Sequence, residues 1–228
     1  MSTSVVRYKG NDYSVPVRYG HQALLLDASV IVNLNATGYA YRILSALPAE
    51  ILIPRLVLIE LRNGAAAGHT DAVDLQELLN SGVVTEYNLP VTAHAEFVSL
   101  VSGTSSQSLG DGEAATIACA HRSIAWAAID ERKARRICSA RYPAITVVST
   151  VDILAHDAVV AEFTPTEFSD AIFAALEIAH MQVQAKKMDW VIGQVVPEKL
   201  QNCVSLPRKI RDRVAILARQ QLDNSNVR

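Results

Sequence analysis

The chain has 228 residues, 50% of them hydrophobic, and a formal net charge of −2. Such an apolar fraction supplies a sizeable buried core and excludes global disorder, while the small net charge excludes an overall basic field, so any contact with nucleic acid must come from local basic patches. The odd number of cysteines, Cys119, Cys138 and Cys203, argues against a disulfide scaffold, and their spacing fits no zinc site.

The sequence shows no targeting or membrane segment. The polar stretch of residues 1–20 lacks the apolar core of a signal peptide, and no run approaches the ~18 apolar residues of a membrane span. We therefore expect a soluble protein of a reducing compartment, the cytoplasm, with no membrane partner.

Short apolar runs alternate with helical stretches over the first two thirds of the chain. Residues 1–21 alternate in polarity around Pro16, which predicts an edge strand or a hairpin. A buried strand then ends at Asp27, and the next is stopped by Pro54, a residue suited to the first turn of the following helix. Further strands are predicted over residues 50–53, 83–87, 124–129 and 144–148. Helices are predicted over residues 29–34, 39–47, 56–61, 71–79, 93–101, 114–121 and 132–141.

This order of elements defines the fold class. Read from residue 23, it is β-α-α-β-α-α-β-α-α-β-α-β, which predicts an α/β protein with a mostly parallel central sheet between helices, a three-layer α/β/α arrangement. The near-continuous apolar run at 124–129 is typical of a strand that is covered on both faces.

After Thr150 the pattern becomes helical, and toward the C-terminus it becomes basic. Helices are predicted over residues 151–161, 166–184 and 206–222, the last with Ile210, Val214 and Leu217 at helical spacing. We expect this last helix to pack against the domain or a second subunit rather than on a membrane. The chain is thus divided into an N-terminal extension (1–21), an α/β domain (22–155) and a helical C-terminal extension (156–228).

Carboxylates stand at the ends of several elements. Asp27 and Asp130 directly follow apolar strands, Glu60 lies on a helix, and Glu113 begins one. Strand ends and helix N-termini at one edge of a parallel sheet converge, so we expect these side chains in one crevice. Clustered carboxylates repel one another unless a proton or a cation neutralises them, and hard oxygen ligands favour Mg²⁺ or Mn²⁺. Such sites carry out phosphoryl transfer or phosphodiester hydrolysis.

The segments that carry these acids resemble, in order, the PIN-domain nucleases, and among them the compact prokaryotic group related to toxins of toxin–antitoxin pairs. They are residues 26–34, 53–54 with 60–61, 109–115 and 129–135, and the resemblance spans about residues 22–155. It implies that the 22–155 domain is a nuclease. From periodicity alone, Glu60 is a residue on the wet face of its helix; the resemblance makes it functional.

The resemblance also implies a role for each matching position. The catalytic acids are Asp27, Glu60, Glu113 and Asp130, of which Asp27, Glu113 and Asp130 bind Mg²⁺ or Mn²⁺. In the wider family the third acid is usually Asp rather than Glu. Supporting positions are Ser29, Asp111 and Glu131, although Asp111 is equally explained as a helix N-cap.

A basic stretch follows the last of these acids. It could bind the backbone of a nucleic acid beside the metal, or form a solvated helix face with Arg135 paired to a carboxylate. The hydroxyls of Ser149 and Thr150, after the last strand, could touch a phosphate or be ordinary strand-end residues. The basic stretch comprises Arg132, Lys133, Arg135 and Arg136.

Three functions compete at this point. The first is a metal-dependent endoribonuclease in which metal-activated water attacks RNA phosphorus, with an antitoxin or other protein partner and a homodimeric state implied by the resemblance. The second is a catalytically silent RNA-binding or scaffolding module that keeps the fold, and the four filled acidic positions weigh against it. The third is a phosphoacceptor with Asp27 and Asp130 around Mg²⁺, which needs a lysine at a later strand end that residues 148–150 do not provide.

Overall fold

The computed structural model of the protein describes residues 4–6, 15–17, 22–65 and 71–225. Most of the predicted edge strand or hairpin of residues 1–21 lies outside the described residues. Within it, β1 (Ser4–Val6) pairs antiparallel with β2 (Val15–Val17). Over the described ranges, we find no helix with both the length and the apolar character needed to cross a membrane.

Five parallel strands form the central sheet, in the spatial order β5-β4-β3-β6-β7. The chain starts on the central strand, moves outward twice to one side, and then returns to the other side of the starting strand. The order in which strands are added therefore reverses between β3 and β6. At such a reversal, parallel sheets of this type form a crevice at the carboxyl ends of their strands. The strands are β3 (Ala23–Leu26), β4 (Glu50–Pro54), β5 (Thr85–Tyr87), β6 (Trp126–Ala128) and β7 (Val147–Val148).

Helices cover both faces of this sheet, which confirms the predicted three-layer α/β/α fold. In the α/β part they are α1 (Ala28–Ala36), α2 (Ala40–Ala46), α3 (Arg55–Ala65), α4 (Asp71–Asn80), α5 (His94–Val101), α6 (Asp111–Ser123) and α7 (Arg132–Arg141). In the C-terminal part they are α8 (Thr150–Leu154), α9 (Asp157–Val160), α10 (Pro165–Glu177), α11 (Met188–Gln194), α12 (Pro197–Leu200) and α13 (Arg208–Ser225).

The alternation of side chains along β3 divides the core into two layers. Leu24 and Leu26 are fully buried in the larger core, which also receives residues of α1, α3 and α10. Leu25 is fully buried on the opposite face, in a smaller core with α5, α6 and α7. Because both faces are covered, every residue of this strand after the first is apolar and inaccessible, as expected for a central parallel strand.

Two predictions for the C-terminal part are wrong in detail. The helix predicted over residues 151–161 is divided into α8 and α9, because His156 takes an extended backbone and its Nδ1 accepts a hydrogen bond from the Ala158 amide at 3.2 Å, which begins a new helix. The helix predicted over residues 166–184 ends at Glu177, and an irregular segment follows. Val214 of α13 lies buried in the larger core, so this helix packs against the domain.

Candidate active site

Two neighbouring strands place Asp27 and Asp130 at the same edge of the sheet. Leu26 pairs with Ala128 across β3 and β6, and the Asp27 amide donates to the Ala128 carbonyl at 3.1 Å. Both carboxylates are almost inaccessible, with 2% of Asp27 and 5% of Asp130 exposed. The convergence expected from the sequence is therefore present.

The Asp27 carboxylate is only half satisfied. Ser29 donates its hydroxyl to Asp27 Oδ2 at 2.7 Å, as expected of a supporting residue. The other oxygen, Oδ1, is buried and has no hydrogen-bond partner among the described residues. Burial, with a smaller contribution from the Asp130 charge, raises the pKa of Asp27 above its usual value. A buried carboxylate oxygen without a donor fits a site that accepts a cation or a proton.

The Asp130 carboxylate, in contrast, is fully engaged. Asn33 donates to its Oδ2 at 2.6 Å, and Thr150 donates its amide to Oδ1 at 3.0 Å and its hydroxyl to Oδ2. Burial raises the pKa of Asp130, and these donors act in the opposite direction. Thr150 thus holds Asp130 directly, which neither of the two readings of its hydroxyl anticipated. Asn33 was missed, although it lies four residues after Ser29 and so on the same face of α1.

Glu60 and Glu113 reach the same region from helices α3 and α6. Burial and then the Asp27 charge raise the pKa of Glu113 to about 7, with smaller contributions from Glu131 and Glu60. Burial, Asp27 and Asp111 raise the pKa of Glu60. Neighbouring carboxylates therefore help to raise the pKa of each of three predicted acids, Asp27, Glu60 and Glu113. These three acids belong to one electrostatic cluster.

A glycine allows α3 and α6 to approach each other here. A Cβ added at Gly112 would overlap Glu60 Oε2 and would stand 3.4 Å from Val57 Cγ2. The absence of a side chain at Gly112 thus leaves room for the Glu60 carboxylate beside the start of α6.

The supporting acids Asp111 and Glu131 have different positions. The alternative of Asp111 as a helix N-cap is wrong, because Gly110 has the extended backbone of the cap and Asp111 is the exposed first residue of α6. The Gly110 amide donates to Glu113 Oε2 at 3.1 Å. Glu131 is itself a cap: its Oε2 accepts from the Ala134 amide at 2.6 Å at the start of α7.

Two cavities open beside the cluster. The first, which we call the carboxylate cavity, holds about 470 Å³ and is lined in part by Glu60, Asp130 and Glu131. The second, the basic cavity, holds about 680 Å³. Glu131 lines both, so the two cavities are neighbours. The basic side chains of the second cavity are Arg132, Lys133, Arg135, Arg136, Lys186 and Lys187.

The predicted basic stretch is thus gathered in one place, together with two lysines from the C-terminal part. Arg135 is half-buried, and burial lowers its pKa although Asp130 and Asp152 act in the opposite direction. It forms no ion pair among the described residues, contrary to the alternative in which it pairs with a carboxylate. Arg136 donates to the Ser106 carbonyl at 3.2 Å. Binding of nucleic acid by these residues stays a prediction.

A buried ion pair that the sequence did not indicate lies at the base of the basic cavity. Lys187 forms a salt bridge with Asp152, and each residue is 3% exposed. The Lys187 ammonium also donates to Ser149 Oγ at 2.7 Å, and the Ser149 amide donates to Asp152 Oδ2 at 2.8 Å. Burial lowers the pKa of Lys187, and Asp152 opposes this shift. The pair anchors the segment after α10 to the sheet edge beside Asp130.

The donors of the cluster fit a hard divalent cation in kind. They are carboxylate oxygens, one of them is buried without a hydrogen bond, and neighbouring negative charge raises the pKa of three. In their present conformation, however, no three His, Cys, Asp or Glu side chains in the described part of the chain are grouped closely enough to hold a metal ion.

Comparison with known proteins gave one match. The family model of DUF3368, described as a PIN domain, matches residues 23–194, which is more than half of the chain. No curated protein and no solved structure matches the chain. The matched range includes every strand of the central sheet and extends through α11.

Proposed function

Because the chain belongs to the PIN-domain family, a nuclease-type fold, we propose that it is a metal-dependent endoribonuclease that hydrolyses phosphodiester bonds of RNA. One observation carries the proposal: Asp27 and Asp130, at adjacent strand ends, are buried and electrostatically coupled to each other, and Asp27 is coupled to Glu60 and Glu113. Repelling carboxylates are retained together where a cation and a phosphate complete the charge balance.

In such a site, some side chains would bind the metal ion and others would orient its ligands. Asp27, Glu113 and Asp130 would hold Mg²⁺ or Mn²⁺, which when bound neutralises the phosphate charge and lowers the pKa of a water molecule. Ser29 orients the Asp27 carboxylate, and Asn33 and Thr150 fix the Asp130 carboxylate through hydrogen bonds. Because no three acidic side chains in the described part of the chain are grouped closely enough for a metal ion in the present conformation, at least one of the three ligands must move when the metal binds.

Glu60 is the one of the four acids to which we assign no role in metal binding. It lies on α3 and lines the carboxylate cavity together with Asp130 and Glu131. We assign to Glu60 the acceptance of a proton from the attacking water. The adjacent basic cavity, with Arg132 and Lys133 at its rim, offers a path for the RNA backbone outside the acidic region.

The biological setting follows from the resemblance alone. We propose a toxin of a toxin–antitoxin pair or a defence effector that acts as a homodimer and is restrained by a small protein partner. Co-purification of such a partner and a dimer mass in solution are the expected results, and a monomer that copurifies with no protein when expressed with its genomic neighbours would contradict this setting.

The enzyme proposal is tested by cleavage of labelled single-stranded RNA with Mn²⁺ or Mg²⁺. Wild type should cleave, EDTA should stop cleavage, and Asp27→Asn should lower kcat by roughly 100- to 1,000-fold, as removal of a directly acting group does. Asp157→Asn is a matched control, because Asp157 is exposed on α9. If wild type binds RNA but cleaves neither RNA nor DNA, the protein is the catalytically silent module instead.

A further inference from the structure

The irregular segment after α10 forms a wall shared by the two cavities. Its residues Ala179, His180 and Gln182 line the carboxylate cavity, and Gln184 lines the basic cavity. The segment ends at Lys187, which the buried salt bridge with Asp152 holds in place. The C-terminal part of the chain therefore contributes directly to the surface around the carboxylates.

His180 adopts a left-handed backbone conformation, which is uncommon outside glycine. Its φ is +53°, and the only other non-glycine residue with positive φ in the described chain is Ile124. Left-handed backbone is costly for most residues with a Cβ, and it occurs at the ends of helices and at functional sites. Ile124, 81% exposed at the end of α6, and His180 are both exposed, and His180 differs in that it lines the carboxylate cavity. A glycine would relieve the strain at position 180 and would remove the imidazole from the cavity.

The walls of the carboxylate cavity determine which ligand it can take. Its volume of about 470 Å³ lies within the roughly 300–1,000 Å³ of small-ligand sites. Val32 and Leu61 make part of the wall apolar, while Glu60 and Glu131 are negative. Without a bound metal, Glu60 and Glu131 disfavour a phosphate group, so the scissile phosphate can enter only beside the metal that Asp130 would help to hold, and the apolar part of the wall is left for an uncharged group. The carboxylate cavity fits a flat and uncharged group that is covalently connected to a phosphate.

We propose that the carboxylate cavity binds one unstacked nucleobase of single-stranded RNA, with the base stacked on the His180 imidazole and hydrogen-bonded at its edge by the Gln182 amide. This proposal rests on the proposed ribonuclease function and deepens it, because it makes the substrate single-stranded at the cleavage site. Unpaired bases splayed out of a strand are recognised in this way, by stacking on a ring and by polar groups at the base edge.

The test uses a labelled single-stranded RNA whose cleaved bond has been mapped with the wild-type protein and Mn²⁺. Two further substrates carry an abasic ribose at the nucleotide before or after that bond. Removing the base that occupies the cavity should lower kcat/KM on the order of 10- to 100-fold for one of the two substrates. His180→Ala should cause a loss of similar size on the intact RNA and little further loss on that abasic RNA.

His180→Gly separates the role of the imidazole from protein stability. It should lose activity as His180→Ala does, while its thermal midpoint stays equal to or above that of wild type. His94→Ala serves as a control, because His94 is exposed on α5, and it should cleave both RNAs like wild type.

The outcomes distinguish the two proposals. If wild type cleaves intact and abasic RNA equally well, or if the losses from His180→Ala and from the abasic site multiply, the nuclease proposal stands and the base site is overturned. If wild type cleaves no RNA, the nuclease proposal is overturned and the base site with it.

Discussion

Two groups of charged side chains flank the carboxyl edge of the sheet, and they differ in charge balance. In the first, the acidic cluster, none of Asp27, Glu60, Glu113 and Asp130 forms an ion pair within the described chain. In the second, Asp152 is paired with Lys187. Burial is nearly equal, since 2% of Asp27 and 3% of Asp152 is exposed.

The difference separates a structural group from a functional one. A buried pair is electrically neutral and tolerated, whereas carboxylates without a cation lower the free energy of unfolding. Burial raises the pKa of Asp27, Glu60 and Glu113 because it disfavours the charged form of each carboxyl group. The acidic cluster is thus poised to receive a positive charge from outside the chain, and the ion pair already contains one.

Removing the Lys187 ammonium should leave Asp152 as a second buried carboxylate without a neutralising charge. Lys187→Met leaves the Asp152 carboxylate buried alone and should lower the free energy of unfolding by about 3–5 kcal/mol, measured by urea denaturation. The double variant Lys187→Met with Asp152→Asn should regain much of this loss. A Lys187→Met protein as stable as wild type would show that the pair does not anchor the segment after α10.

Supplying a cation to the acidic cluster should have the opposite effect. At about 100 times its dissociation constant, Mn²⁺ should stabilise the wild-type protein by about 2.7 kcal/mol, seen as a rise in Tm that EDTA reverses. Asp27→Asn should lose most of this rise because it removes a ligand. An equal rise in both proteins would place the ion outside the cluster.

The close approach at Gly112 should matter to the acidic cluster more than to stability. Gly112→Ala displaces the Glu60 carboxylate, so kcat should fall about tenfold, while the flexible Glu60 side chain limits the change in Tm. Gly193→Ala on α11, close in sequence to Lys187, is the matched control, since no atom lies within 4 Å of its added Cβ. Loss of activity in both variants would show that the close approach at Gly112 has no specific role in the site.

The smallest effect should be a pH dependence from Glu113. Its pKa of about 7 in the folded protein exceeds the 4.5 of an ordinary glutamate, so the unfolded chain loses the proton first and stability falls as pH rises from about 4.5 to 7. Allowing for its partial exposure, we expect about 1 kcal/mol.

Glu113→Gln should remove this fall and keep the hydrogen bond from the Gly110 amide. The comparison is made in EDTA, by denaturation at pH 5 and pH 8. Parallel stability curves for the two proteins would show that Glu113 is not coupled to the acidic cluster.

Much of the fold followed from local sequence patterns. The order of strands and helices through residue 148 agrees with prediction because each apolar run is short and bounded by turn residues. The two errors lie where side-chain capping overrides apolar periodicity, as at His156, or where the chain leaves a helix without a glycine or proline, as after Glu177.

Sheet geometry alone predicted only the site residues at strand ends, and Glu60 and Glu113 on helices were assigned through the family resemblance. Asp27 and Asp130 could be placed from the sheet, and Ser29 from its neighbour. Lys187 and His180 could not, because their positions depend on how the C-terminal helices pack across the sheet edge, which no local pattern records.

The strand order also fixes when the acidic cluster can assemble during synthesis. Strand β3 is among the earliest parts of the sheet to leave the ribosome, yet its neighbour β6 is translated after β4, β5 and six helices. Until then one edge of the nascent β3 has no partner strand, a state that calls for fast folding or a chaperone. Asp27 meets Asp130 only late, and Lys187 arrives later still. A ribosome-bound chain stalled before Asp130 has no assembled cluster, so the proposed cleavage of RNA begins only after translation has passed Asp130.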